Sequence, residues 1–135
     1  MTALREGDPA PEVVLGPITR SGIVRYAGAG GDFNPIHHDD EFARAAGMPS
    51  IFSMGMLPGG LVAQHVAGWL GLANVRSFGL RFTGQVWPGD ELTVKGGVER
   101  IVEVDGERLA ECAFTVERQT GEVAIQATAT ALAPA

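Results

Sequence analysis

The second half of the chain alternates between apolar and polar residues, a period of two that predicts β-strands. Four segments show strand character: 76–86, 91–104, 108–118 and 122–132. Pro-Gly-Asp, Asp-Gly and Thr-Gly sequences separate them, as expected for tight connections between antiparallel strands. In the third segment one face would hold Ala110, Cys112, Phe114 and Val116. Alternation is clear in this segment and in 122–132, so these two strands are expected to have one covered face and one wetter face.

The stretch from Met54 to Leu72 is the least polar in the chain, and its apolar residues recur at helical intervals. Charge is nearly absent on every side, which predicts a helix that is buried all round. Gly59 and Gly60 lower helix propensity by about 1 kcal/mol each relative to Ala. We therefore expect another element to pack closely against both glycines.

The first half contains shorter elements. A strand is predicted at 13–15, and Thr19 or Ser21 would cap a short helix that ends in the glycines at 28, 30 and 31. Residues 39–46 predict one or two further helical turns, stopped by Gly47. A buried helix followed by an antiparallel meander indicates an α+β fold, with the long sheet wrapped around the central helix.

Asp32 and His37 are the main candidates for chemistry, because an acid and an imidazole close together can act as a proton donor and acceptor. Residues five positions apart do not share a helix face. Pro35 fixes its own φ and disfavours a helical Asn34, so the segment must turn. Asp32 and Asn34 can hold such a turn by bonding to nearby backbone groups. We expect a rigid, non-helical loop that presents both titratable groups side by side.

Length and charge narrow the classes of function. A chain of 135 residues fits one domain, 1–135, and a net charge of −6 without a basic run argues against nucleic-acid binding. The N-terminus lacks the pattern of a secretion signal and no stretch is apolar enough to span a membrane, so a cytoplasmic location is expected. Cys112 is the only cysteine and is expected to be an inert buried thiol.

The segment around Asp32 and His37 has several other interpretations. A calcium loop would need Gly where His37 stands and Glu where Ala43 stands, and a dinucleotide loop lacks its third glycine. A metal site formed by His37, His38, Asp39 and Asp40 is disfavoured, because four consecutive side chains point in different directions. A capped structural turn with an exposed histidine remains open on spacing alone.

Three motifs together resemble the MaoC-like, or (R)-specific, enoyl-CoA hydratase family. They are Gly-Asp-Phe-Asn-Pro-Ile-His-His-Asp at 31–39, Gly-Met-Leu at 55–57, and Phe-Thr-Gly-Gln-Val-Trp-Pro-Gly-Asp at 82–90. The similarity extends from about residue 20 to the end of the chain. It implies a hotdog fold, in which an antiparallel sheet curls round a central helix, and a dimer or higher assembly.

The resemblance also implies roles for individual residues. Asp32 and His37 would be the catalytic acid-base pair, and the Gly55 amide would bind the thioester oxygen. The residues expected to bind substrate or steady its loop are Asn34, Phe52, Met54 and Met56. The substrate would be a 2-enoyl thioester of CoA or acyl carrier protein, hydrated or formed by dehydration, with no separate cofactor and no metal. Arg76 and Arg81 are candidates for its anionic end.

One departure from the family pattern concerns the start of the central helix. Met54 stands where the family commonly has histidine, so the Gly55 amide is kept while the imidazole is lost. This and neighbouring residues resemble small hydratase subunits of actinobacterial steroid side-chain breakdown, some of which act with a second hotdog chain. A partner subunit of a heteromeric hydratase and a hotdog acyl-CoA thioesterase are therefore the alternative functions. His38 and His65 are not expected to be ligands.

Overall fold

The computed structural model describes residues 3–134, in which five antiparallel strands form one sheet. The strands are β1 (Val13–Leu15), β2 (Val75–Phe82), β3 (Leu92–Val104), β4 (Glu107–Arg118) and β5 (Val123–Leu132). Their order across the sheet is β1-β3-β4-β5-β2. Short connections join β3 to β4 and β4 to β5, and β2 closes the far side by pairing with β5. The α+β arrangement predicted from the two periodicities is confirmed.

Alternation along β4 and β5 sets the position of the core. The apolar face of β4 is almost completely buried, whereas the glutamates and threonine between these positions remain partly exposed. Asp105 and Gly106 both have positive φ, 51° and 79°, as a tight right-twisted hairpin turn requires. The predicted strand 76–86 is too long, because β2 ends at Phe82 and the chain then turns towards the Pro88-Gly89-Asp90 connection.

Three α-helices lie outside the sheet: α1 (Arg20–Gly30), α2 (Asp40–Ala45) and α3 (Met56–Leu70). Thr19 caps α1 by accepting a hydrogen bond from the Gly22 amide at 2.9 Å, which decides between the two predicted caps. Asp39 caps α2 in the same way. No helix within residues 3–134 combines the length and hydropathy needed to cross a membrane.

The expectation that α3 is buried all round is wrong for the single chain. Its buried residues follow one stripe, Pro58, Gly59, Val62, Val66 and Leu70. Gly60, Gln64 and Gly68 on the other side are exposed. The physical reason is that the sheet covers only one side of the helix, with β2 and β5 as its nearest strands.

The two glycines near the start of α3 differ in their surroundings. A Cβ built at Gly59 would lie 2.7 Å from Leu80 Cδ1, so β2 approaches the helix closely there, as predicted. A Cβ at Gly60 would meet nothing within 4 Å in the described chain. The close neighbour expected for Gly60 is therefore absent from the part of the chain that the structure describes.

Candidate active site

The segment between α1 and α2 carries Asp32 and His37, and its shape follows from the residues around them. Gly31 ends α1 with a φ of 70°, a conformation that suits glycine. Contrary to the expected non-helical loop, Pro35–His37 forms one 3-10 turn, because a fixed proline φ suits a first helical position. The Asn34 side chain caps this turn by accepting a hydrogen bond from the Ile36 amide at 3.1 Å.

The turn brings Asp32 and His37 side by side, as predicted. His37 Nε2 lies 3.3 Å from Asp32 Oδ2. Asp32 Oδ1 accepts a hydrogen bond from the Asn34 amide at 3.2 Å, so the second carboxylate oxygen is also oriented. The His37 side chain is 9% exposed and that of Asp32 is 45% exposed. The pair therefore sits at the surface of the chain with the imidazole on its inner side.

The other ring nitrogen of His37 is fixed by the backbone of Phe52. Nδ1 lies 2.7 Å from the Phe52 carbonyl oxygen. Because a carbonyl can only accept, Nδ1 carries a proton and donates it. The Phe52 ring also packs edge-on against the imidazole, with centroids 5.5 Å apart and planes at 84°. Nε2 is therefore the nitrogen that faces Asp32 and can exchange a proton.

Gly55 lies three residues beyond Phe52, at the start of α3. Three residues of extended chain span at most about 10 Å, which is the largest possible separation between Gly55 and the residue that holds His37. No acceptor in residues 3–134 takes its hydrogen. An amide at this end of a helix carries part of the positive end of the helix dipole. Within the described chain, the Gly55 amide is thus an unpaired donor at the start of α3.

A cavity of about 200 Å³ borders this amide. Phe82 forms one wall, and a Cβ at Gly55 would lie 2.8 Å from its ring, so a larger residue at position 55 would require the ring to move. The complete lining consists of Phe52, Ser53, Gly55, Pro58, Phe82, Gly84, Gln85, Val86 and Ile125.

Of the four residues expected to bind substrate or steady its loop, one lines the cavity and three do not. Phe52 lines the cavity and anchors His37. Asn34 lies in the Asp32 turn, and Met56 is half exposed on α3. Met54 is only 8% exposed and belongs to the hydrophobic core, so its side chain packs inside the chain rather than along the cavity.

The remaining candidates have other partners. Asp39 caps α2, and Asp40 pairs with Arg20 at 3.1 Å and accepts a hydrogen bond from the Ile51 amide. These interactions hold the pKa of Asp40 below its ordinary value, the Ile51 bond first and Arg20 second. The described residues contain no group of three or more His, Cys, Asp or Glu side chains placed to hold a metal ion.

Three residues discussed in the sequence analysis remain: Arg76, His65 and Arg81. Arg76 lies 3.5 Å from Glu107 and bonds two backbone carbonyls. His65 Nε2 lies 2.8 Å from the Pro11 carbonyl, so this histidine is satisfied structurally. Arg81 is exposed on β2 and makes no ion pair within residues 3–134, which leaves it free to bind an anion.

Sequence reasoning missed the buried carboxylate of Asp90. Its side chain is 3% exposed and accepts hydrogen bonds from Arg118 Nε and Nη2, Gln119 Nε2 and the Trp87 amide, at 2.7 to 3.1 Å. Burial raises the pKa of Asp90, but the hydrogen bonds outweigh it and keep the pKa below its ordinary value. The Pro-Gly-Asp turn was the available signal, since an acid in such a turn often bonds the backbone.

With this geometry established, the chain can be compared with known proteins. A family model described as MaoC like domain matches residues 6–120. The chain belongs to the MaoC like domain family. This confirms the resemblance drawn from the three sequence motifs.

Among curated relatives of this MaoC like domain, enoyl-CoA hydratase ChsH3 of Mycobacterium tuberculosis is 38% identical over 82 residues, which are 58% of this chain and 27% of that protein. The fatty acid synthase subunit beta of Aspergillus oryzae is 37% identical over 73 residues, or 52% of this chain and 4% of that protein. The chain therefore spans only a small part of these two relatives.

Solved structures match over much greater lengths. The Mycobacterium tuberculosis ChsH1-ChsH2 complex contains a chain that is 28% identical, with a TM-score of 0.77, covering 99% of this chain and 100% of that one. The unliganded R-hydratase PhaJ1 of Pseudomonas aeruginosa is 29% identical, with a TM-score of 0.80, covering 97% and 83%. The expected hotdog fold of this MaoC like domain is thereby confirmed.

Proposed function

We propose that this chain is an (R)-specific 2-enoyl-thioester hydratase, which also runs in reverse as a 3-hydroxyacyl-thioester dehydratase. The observation that carries the proposal is the Asp32–His37 pair, with 3.3 Å between Oδ2 and Nε2 and Nδ1 held by a backbone carbonyl. Membership of a family with relatives named enoyl-CoA hydratase and 3-hydroxyacyl-thioester dehydratase supports it.

Hydration adds the oxygen of water to C3 and a proton to C2 of the conjugated thioester. One member of the pair accepts the proton that the water loses, and the pair returns a proton to C2. Since Nδ1 is committed to Phe52, we assign the exchange to His37 Nε2 and Asp32 Oδ2. The sum of the two transfers leaves the pair unchanged, and neither oxidation nor reduction occurs. The proposed reaction therefore requires no redox cofactor.

Attack at C3 pushes electron density onto the thioester oxygen, which becomes enolate-like before C2 is protonated. The Gly55 amide, free and at the dipole-positive end of α3, is the proposed donor for this oxygen. A donor that is already oriented needs no rearrangement as the charge develops. The cavity beside Gly55 is apolar along most of its lining and gives an acyl group a place to lie.

The carrier of the acyl group is proposed to be CoA or an acyl carrier protein. Both present a phosphate-bearing arm, and Arg81 on β2 is an exposed arginine with no ion pair inside the described chain. Arg81 and Phe82 are neighbours on β2, so their side chains point to opposite faces of the sheet, and it is the Phe82 ring that lies against Gly55. Arg81 is therefore a candidate for the anionic end of the substrate because of its charge and exposure, and not because it borders the cavity.

The test is to mix the purified protein with crotonyl-CoA and with a longer 2-enoyl-CoA and to follow the loss of conjugated-thioester absorbance. Asp32→Asn protein serves as the blank, and dehydrogenases specific for each 3-hydroxyacyl enantiomer identify the product. Release of free CoA thiol without hydration would instead indicate a thioesterase. Cys112 will not disturb that thiol assay, because burial, reinforced by Glu99, raises its pKa to about 11.

A second candidate function is that of one subunit in a heteromeric hydratase. Two features favour it: the outer edge of β2 has no partner strand in the described sheet, and one side of α3 is uncovered. A long unpaired strand edge can pair with another chain. The structural relative that this chain matches over its full length comes from the ChsH1-ChsH2 complex. Light scattering after size exclusion distinguishes a stable homodimer from a lone chain that needs a partner.

A further inference from the structure

Phe52 fixes His37 in two independent ways. Its carbonyl accepts the Nδ1 proton at 2.7 Å, and its ring packs edge-on against the imidazole. These contacts determine both the tautomer and the orientation of the ring that faces Asp32. Whatever positions Phe52 therefore also positions His37.

Phe52 is not held in place by a helix or a strand, because residues 51–54 belong to neither. The contacts that hold it come from the segment after β2. The next amide, that of Ser53, donates to the Val86 carbonyl at 2.8 Å. The Phe52 ring packs edge-on against Trp87, with centroids 5.6 Å apart and planes at 67°. The backbone bond to Ile36 is longer, at 3.4 Å.

Trp87 is in turn held by Asp90. The Trp87 amide donates to Asp90 Oδ2 at 2.8 Å, and the Asp90 amide donates to the Trp87 carbonyl at 3.0 Å. The Asp90 carboxylate is itself fixed by Arg118 at the end of β4 and by Gln119. A continuous series of contacts thus runs from the sheet through Trp87 and Phe52 to His37.

We propose that Trp87 is a positioning residue for His37, acting through Phe52. Trp87 has no hydrogen bond, ion pair or ring contact with Asp32 or His37 among the described interactions, so its effect is transmitted rather than direct. The inference rests on the proposed function only where it predicts that a change at Trp87 lowers turnover. Its effect on the imidazole tautomer is independent of any activity.

The kinetic test compares the two tryptophans of the chain. Trp87→Leu is expected to lower kcat about 100-fold with KM within about twofold, because small misplacements of a catalytic group have effects of this size. Trp69→Leu is the matched control. The Trp69 ring packs edge-on against Phe114, with ring centroids 6.0 Å apart, and Trp69 is not one of the residues that connect the sheet to His37. This variant is expected to lower the melting temperature and leave kcat within about twofold. Trp87→Phe keeps an aromatic edge and should restore most of the rate.

The spectroscopic test uses the long-range ¹H–¹⁵N spectrum of the three histidines. At a pH where the imidazoles are neutral, His37 of the unmodified protein should show the Nδ1–H tautomer, while His65, whose Nε2 donates to Pro11, should show the opposite one. Trp87→Leu is expected to convert the His37 signals to an averaged mixture and leave those of His65 unchanged. Phe52→Leu, which keeps the carbonyl but removes the ring, should give an intermediate change if Trp87→Leu does not fold.

An unchanged His37 tautomer in every folded variant, or a wild-type kcat in Trp87→Leu, would overturn the inference. A wild-type protein without turnover of any enoyl thioester would overturn the proposed function instead, while the spectrum would still decide the role of Trp87. Equal loss of kcat in the Trp69 and Trp87 variants would show general destabilisation and also contradict positioning.

Discussion

Asp32 and Asp90 are both carboxylates in proline-containing turns, but their surroundings differ. Asp90 is buried and receives four hydrogen bonds, three of them from Arg118 and Gln119 side chains. Asp32 is 45% exposed and has two neighbours, the Asn34 amide and His37 Nε2. Both contacts of Asp32 exceed 3 Å, whereas the shortest bond to Asp90 is 2.7 Å.

The difference separates a carboxylate held in a structural ion pair from a carboxylate that has room to bind other groups. A carboxylate offers about four lone-pair sites, and those of Asp90 are filled by protein donors. Asp32 retains acceptor capacity on its exposed side, where a water molecule can bind and be activated. Asp90 therefore fits a structural role, and Asp32 is the carboxylate that we propose takes part in proton transfer.

The largest expected effect is on turnover when Asp32 is changed. Asp32→Asn should lower kcat for crotonyl-CoA by about 10²- to 10⁴-fold, because an amide cannot accept the proton that a positioned base accepts. Its melting temperature should change little, since the side chain is exposed and Asn can still bond the Asn34 amide. Initial rates and thermal unfolding of the same preparations provide the measurement.

Asp39→Asn is the matched control for that variant. Asp39 is an exposed acid close by in the sequence, and its side chain caps α2. Asn is an equally good cap, so both stability and kcat should be retained. A full-rate Asp32→Asn enzyme, or an Asp39→Asn enzyme that loses as much activity, would remove the distinction between the two acids.

The second largest effect concerns stability. Asp90→Ala removes the buried partner of the largely buried Arg118 and leaves it only the exposed Glu122, so it should lower the free energy of unfolding by about 3–5 kcal/mol. Glu122 bonds the same arginine at 2.8 Å from an exposed position, so Glu122→Ala should cost at most about 1 kcal/mol. Urea unfolding of both variants tests this; similar losses would show that burial does not decide the strength of the pair.

Asp90 should also make the stability of the fold depend on pH. Asp90 has its pKa lowered from the ordinary 3.8, because hydrogen bonds to the carboxylate outweigh its burial. A lowered folded-state pKa stabilises the protein above the unfolded-state value, and this contribution is lost as pH falls through the folded-state pKa. The stability gap between wild type and Asp90→Asn should therefore be full at pH 7 and shrink below about pH 4. Urea titrations at several pH values would contradict this if the gap widened in acid.

Several features of the fold and of the candidate site could be predicted from local sequence. The alternation of β4 and β5, the Thr19 cap and the closeness of Asp32 to His37 all depend on residues within a few positions of one another. Short-range sterics and hydrogen bonding decide such features, so they can be deduced without a structure. Membership of the family then followed from motifs that combine these local features.

The unpredicted features depend on residues far apart in the chain. Asp90 meets Arg118 from 28 positions away, and the Phe52 carbonyl meets His37 from 15 positions away. Periodicity carries no information about such pairings, which arise from how the sheet and helix pack. The uncovered side of α3 was missed for a related reason: apolar composition indicates that a surface will be covered, but not whether the same chain covers it.

The smallest expected effect is at Asn34, which separates the shape of the Asp32 turn from its chemistry. Asn34→Ala removes the cap on the Ile36 amide but keeps its own backbone bond to Asp32. Loss of a cap costs about 1 kcal/mol, so kcat should fall by no more than about tenfold, and Asn34→Asp, which retains an acceptor, should recover it. Rates and melting temperatures of the two variants provide the measurement. If Asn34→Ala matched wild type in both, Pro35 alone would be sufficient to hold the pair, and if it matched Asp32→Asn, Asn34 would itself belong to the reacting groups.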